Sequence, residues 1–237
     1  MVFRHPVQEP PIIQIAVNDQ PIRESIGLCP IRVMRSENGF PSATISRPGR
    51  YTLERADGKR ATIDVPHIPA PITLDRPWKV LFRSSTGVAL KQIDILQLHS
   101  WADSSDNLIR FFSGTAFYQT HVNVPDEMLI PGRRVTLDLG RVEVIAQVHV
   151  NGKDLGVLWK RPFSVDITDA VSPGSNKIEI LVTNTWWNRL AGDEALRPDE
   201  RTTFTVWQPA TPRAFLLPSG LLGPVSIRNE VIREIKI

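Results

Sequence analysis

The chain of 237 residues is long enough for one large all-β domain, or a small domain followed by a standard one, and 41% apolar with 22% charged residues is the mixture of a folded globular protein. A formal charge of +3 spread without a basic stripe excludes a nucleic-acid footprint, and no stretch approaches the roughly 18 apolar residues of a membrane span. One cysteine, Cys29, excludes an intramolecular disulfide and a zinc centre built on clustered cysteines.

The opening Met1-Val2-Phe3-Arg4-His5-Pro6 lacks the apolar run of an export signal, so for an exported protein that signal is expected upstream. The 20 prolines and 14 glycines fall between short apolar runs, which is all-β punctuation. Arg50 to Arg55, the Asp57-Gly58 turn and Ala61 to Val65 read as a hairpin inside a small sandwich. Pro66, Pro69, Pro71 and Pro77 then deny regular ladder bonds to the stretch between them, which reads as a semi-rigid linker. The boundary is placed near Leu74, giving domains over 1–73 and 74–237.

Val88 to Leu98 satisfies neither the helical nor the strand period, and both options stay open there. Beyond it the alternation is clean: Tyr118, Thr120, Val122 and Val124 on one face, then Val135, Leu137 and Leu139. Val142, Val144, Ala146, Val148 and Val150 are expected on one face of a single strand that ends at the Asn151-Gly152 turn. Phe163, Val165 and Ile167 form another set, and after Pro173-Gly174 come Ile178, Ile180 and Val182. Six or more such strands predict a sandwich.

Several runs carry a resemblance: Phe112-Ser113-Gly114-Thr115-Ala116-Phe117-Tyr118, Val148 to Gly156 around Asn151-Gly152, Leu158-Trp159-Lys160-Arg161-Pro162-Phe163, Val182 to Glu194, and Pro218-Ser219-Gly220-Leu221-Leu222-Gly223-Pro224-Val225. Together they resemble the C-terminal jelly-roll region of glycoside hydrolase family 106, the bacterial α-L-rhamnosidases, and are similar to the sugar-binding domain of glycoside hydrolase family 2. The resemblance covers about Trp78 to Ile227. It departs at Ala191, where a larger aliphatic is usual, and at a short Glu194–Arg201 stretch. It implies an all-β protein, a small β-sandwich followed by a galactose-binding-like jelly-roll β-sandwich. In that family the catalytic carboxylates sit on an (α/β)-barrel, whose alternating pattern is absent from this chain. The resemblance therefore implies a non-catalytic module, partnered by the barrel of a parent enzyme and by carbohydrate such as a rhamnose-containing glycan. It also implies a periplasmic or secreted parent.

No catalytic constellation is legible in the residues. Five histidines lie far apart without metal-ligand spacing, and Ser113-Gly114-Thr115 lacks a nucleophile elbow. No cofactor is called for. Asp193 and Glu194 are the tempting carboxylate pair, for a sugar hydroxyl or a structural calcium, although Arg189 four residues earlier offers Asp193 an ion pair. The informative residues are tryptophans, whose rings suit both sugar faces and cores. Carrying the Ile178-Ile180-Val182 parity forward puts Trp186 inward and Trp187 outward, while Trp78, Trp101 and Trp207 are assigned to packing. The expected ligand-binding residues are Trp159, Trp187, Asn188, Arg189 and Asp193. Three readings stay open: a carbohydrate-associated module, a purely structural interdomain sandwich, and a self-sufficient glycosidase.

Overall fold

The computed structural model describes residues 10–22, 29–35, 40–83, 89–203, 205–206 and 215–236, so Val88 and Trp207 lie outside the described residues. The chain divides into two compact units, one of Met1–Ala70, Ile130–Arg134 and Asn229–Ile237, the other of Pro71–Leu129 and Val135–Arg228.

The first unit holds β1 (Ile12–Val17), β2 (Gln20–Pro21), β3 (Ile31–Arg35), β4 (Pro41–Ile45), β5 (Gly49–Arg55) and β6 (Arg60–Val65). One sheet runs β2–β1–β5–β6. Its β5–β6 hairpin pairs Glu54 with Arg60 around Asp57-Gly58, where Gly58 at φ 83° supplies the left-handed turn residue. Alternation buries Tyr51, Leu53, Ile63 and Val65 against Ile31, Ala43, Ile45, Val231 and Ile235. The division differs from a cut at Leu74, because the chain returns to this unit at its end. Val231 to Glu234 pair with Ile45 to Ser42 of β4, and Ile232 N–H donates to Gly132 O.

In the second unit come β7 (Ile72–Thr73), β8 (Trp78–Arg83), β9 (Ala89–Ile95), helix α1 (Asn107–Arg110), β10 (Thr115–Val124), β11 (Arg133–Asp138) and β12 (Arg141–Glu143). They are followed by β13 (Ile145–Val150), β14 (Lys153–Leu158), β15 (Ser164–Asp166), β16 (Gly174–Thr183), helix α2 (Trp187–Glu194), β17 (Gly220–Gly223) and β18 (Ser226–Glu234), whose residues from Asn229 on belong to the first unit. An antiparallel sheet of order β14–β13–β16–β10–β8–β9 covers one side of the core, and β15, β11 and β18 lie on the other. The inward residues are those that alternation selects: Ala116, Tyr118, Val122 and Val124 of β10 with Ile178, Ile180 and Val182 of β16. The ambiguous segment is strand over Ala89–Ile95, and its weak burial pattern follows from pairing with β8 alone.

The single strand expected over Val142–Val150 is instead two. β12 pairs with β17 while β13 pairs with β14 and β16, and Val144 at the change of partner is 41% exposed. Alternation in the sequence runs through a point where the chain moves from one sheet to another. Both units are β-sandwiches, the second a galactose-binding-like one.

Candidate functional site

The site begins where β16 ends. After Thr183 the backbone leaves the strand, Trp186 takes helical angles (φ −73°, ψ −6°), and α2 starts at Trp187. A period of two cannot pass into a period of 3.6. The inward and outward assignments of the two tryptophans are therefore reversed: Trp186 is 62% exposed, whereas Trp187 is half-buried. Trp187 Nε1–H donates to Phe215 O at 2.9 Å, and its ring lies 5.5 Å from that of Phe215.

Asn188 is 1% exposed. Its Nδ2 donates to Leu217 O at 2.8 Å and Ser219 Oγ at 3.0 Å, and its Oδ1 accepts from Leu217 N–H at 2.8 Å. Asn184, just past the strand, works in parallel: Nδ2 donates to Phe112 O at 2.9 Å and Oδ1 accepts from Gly114 N–H at 3.0 Å. These amides satisfy backbone groups that no strand partner reaches, as buried polar groups require. Asn188 thus has its hydrogen-bonding capacity turned inward and is a tie for the Phe215–Ser219 segment.

Asp193 is likewise a tie. It is 3% exposed, pairs with Arg189, and accepts from Thr202 N–H at 3.2 Å, Thr203 N–H at 2.8 Å and the Thr203 hydroxyl. Burial alone would raise its pKa, but the Thr203 and Arg189 donors outweigh burial and hold it below the usual carboxylate range. Its oxygens are turned to these donors inside the chain. Glu194, the next residue on the helix, is exposed. Adjacent helical residues do not face each other, so the two carboxylates do not form a working pair. Among the described residues, no three His, Cys, Asp or Glu side chains group as a metal site.

Trp159, 67% exposed with Lys160 Nζ 5.4 Å from its ring centroid, remains open to solvent. Leu158 pairs with Ala146 and Ala146 with Val182, so Trp159 and the chain leading to Trp186 leave the same end of the sheet. Trp78 and Trp101 are buried, at 1% and 3% exposure. Ser113 Oγ donates to Thr185 O, a turn contact.

The helix fits closely. A Cβ on Gly192 would stand 2.7 Å from Phe111 Cγ, so only glycine lets α2 lie against that ring. With α2 fixed, Phe111, Ala191, Phe215 and Leu216 face Ala102, Asp103 and Arg110 around a cleft of about 330 Å³. No local pattern in the sequence marks Asp103, Arg110, Phe111 or Phe215. More than 100 residues separate Asp103 from Phe215, and neither belongs to a motif with chemical spacing.

This geometry defines a galactose-binding-like β-sandwich with a framed cleft beside its second helix. Residues 78–212 match the family described as glycosyl hydrolase 2 galactose-binding domain-like, and the chain belongs to that family. It is 39% identical over 203 residues to a Formosa agariphila protein named "Putative beta-glucuronidase", covering 76% of this chain and 17% of that protein. Among solved structures it is similar to the rhamnosidase of Novosphingobium sp. PP1Y, with a TM-score of 0.60, 26% identity, and coverage of 91% of this chain and 25% of that one. The β-glucuronidase of Ruminococcus gnavus shares the fold, with a TM-score of 0.51, 21% identity and coverage of 68% and 29%. The chain thus spans between a sixth and a third of the length of each.

Proposed function

We propose that the chain is a non-catalytic, carbohydrate-associated module of a rhamnosidase-type glycoside hydrolase. The observation that carries this reading is the likeness to the Novosphingobium rhamnosidase over 91% of the chain, a span that takes in both units. The motifs around Leu158–Phe163, Val182–Glu194 and Pro218–Val225, which resemble the family 106 C-terminal region, favour the same parent over a glucuronidase. The catalytic work then falls to the parent's barrel domain. The one carboxylate pair that invited a catalytic reading, Asp193 with Glu194, is split between interior and solvent.

A shallow protein–sugar contact with a few hydrogen bonds near 1 kcal/mol each and one stacked ring supports a Kd of about 1 mM. The test is to assay the chain on aryl α-L-rhamnoside and aryl β-D-glucuronide while titrating L-rhamnose, D-galactose and D-glucuronate by NMR. The expected result is no turnover with saturable shifts from at least one sugar; turnover on either glycoside overturns the non-catalytic role.

A second reading, packing against another domain, is favoured by the exposed Val157, Trp159 and Trp186 of the second unit. It expects no sugar shift, together with self-association that is lost when Trp159 and Trp186 are replaced by serine.

A further inference from the structure

We propose that the cleft beside α2 is a pocket for one neutral pyranose, with Asp103 and Arg110 as its polar contacts and Phe111 and Phe215 as its apolar ones. This deepens the carbohydrate-associated reading and rests on it. A volume of about 330 Å³ lies at the small end of the usual ligand-pocket range of about 300–1,000 Å³, which suits one sugar ring and not a chain.

The polar lining points to hydroxyl groups. Asp103 and Arg110 carry opposite charges in one cleft, yet they are not paired with each other, and neither joins an ion pair or side-chain hydrogen bond among the described residues. Arg110 is held by its own neighbour, with its guanidinium 5.6 Å from the Phe111 ring centroid. Both side chains are exposed on the cleft and ready for a third party. A carboxylate accepts from two vicinal hydroxyls, and a guanidinium donates to two oxygens in one plane. One positive and one negative group cancel, so the lining gives no preference for an anion. The Phe215 side chain, 62% exposed, supplies apolar surface for the C–H face of a sugar, while Phe111 backs the cleft between Gly192 and Arg110.

The pocket is also built before a ligand arrives. Trp187 and Asn188 hold the Phe215–Leu217 wall by three hydrogen bonds, and Gly192 seats α2 against Phe111. On the opposite side, Asp103 N–H donates to Ser100 O, and Asp106 caps α1 by accepting from Leu108 N–H at 2.9 Å. A preformed wall leaves less ordering to be met on binding. Trp187 and Asn188, expected from the sequence as sugar contacts, thus act as positioning residues for this wall.

The experiment titrates L-rhamnose, D-galactose and D-glucuronate into the full chain by amide-resolved NMR, with Asp103→Ala, Arg110→Ala and Trp159→Ala variants and a thermal melt of each. For a neutral sugar, the amides of Ala102, Asp103, Phe111 and Ala191 should shift saturably. Asp103→Ala and Arg110→Ala should each weaken binding by about tenfold without lowering the melting temperature, and Trp159→Ala should leave it unchanged. Unchanged affinity in both cleft variants, or shifts gathered at Trp159 and Trp186, overturns the cleft and leaves the carbohydrate reading standing. Glucuronate binding that tightens in Asp103→Ala overturns the assignment to a neutral sugar. No saturable shift with any sugar removes both the pocket and the reading beneath it.

Discussion

Two clusters hold the same end of the second unit by different means. Phe82, Trp101 and Phe112 form a buried aromatic knot, with centroids 5.0–5.5 Å apart and rings steeply inclined. Asn184, Asn188, Asp193 and Ser219 form a polar frame in which the side-chain bonds tie backbone to backbone. The knot is held by contact area, which is non-directional, and the frame by donors and acceptors that must each be met. The knot should therefore respond to lost volume, and the frame to the loss of single atoms and to pH.

The largest effect is expected from Trp101→Ala. Trp101 is 3% exposed, donates from Nε1 to Tyr118 Oη at 2.6 Å, and packs so tightly on Gly220 that a Cβ there would stand 2.4 Å from Nε1. Burial pushes the Tyr118 hydroxyl up to about 12, so it stays a neutral donor and acceptor throughout. Truncation should cost about 3–5 kcal/mol in urea unfolding. Trp101→Phe, which keeps ring area and loses the donor, should cost clearly less. Equal costs would show that the knot is directional after all.

Asp193 comes next. Asp193→Ala removes a buried carboxylate with charge-assisted bonds, a loss of about 2–3 kcal/mol at neutral pH. Its folded pKa lies below the unfolded value of about 3.9, so in that window the unfolded chain binds more protons. The contribution is full above about pH 4 and is lost as pH falls through the folded value. Asp57, lowered to about 2, and Asp106, Asp154 and Glu200, also lowered, act with the same sign, but they lie at the surface, Asp106 half-buried and the others exposed, and are screened. Subtracting the acid unfolding curve of Asp193→Asn from that of the parent isolates the buried group. Parallel curves would mean that the frame does not depend on its charge.

The same contrast explains what could be read in advance. Strands β10 and β16 are legible because they pair with each other without a break over ten residues, so alternation in the sequence is alternation in space. Val142–Val150 misled because the alternation survives a change of sheet at Val144, which is a tertiary event. In the frame, the sequence shows the polarity of Asn188 and Asp193 but not their partners. Polarity marks a residue as important without saying whether its partner is solvent, ligand or a backbone group 29 positions away, as Leu217 is from Asn188. The cleft was illegible for a related reason: its lining comes from three distant segments, none with a local pattern.

The smallest effect tests the reversed tryptophans directly. Trp186 precedes α2, makes no capping bond from its side chain and is 62% exposed, so Trp186→Ala should change stability by no more than about 0.5 kcal/mol. Trp187→Ala loses the bond to Phe215 O and the ring contact, and should cost about 1–2 kcal/mol. Thermal unfolding of the two variants, with iodide quenching of indole fluorescence, separates the cases. Among the tryptophans of the described residues, Trp186 and Trp159 should be the most quenchable, and Trp186→Ala should remove part of the quenchable emission while leaving the melt in place. A destabilised Trp186→Ala beside an unaffected Trp187→Ala would restore the strand parity through residue 186. It would also undo the α2 start on which the wall of the cleft depends.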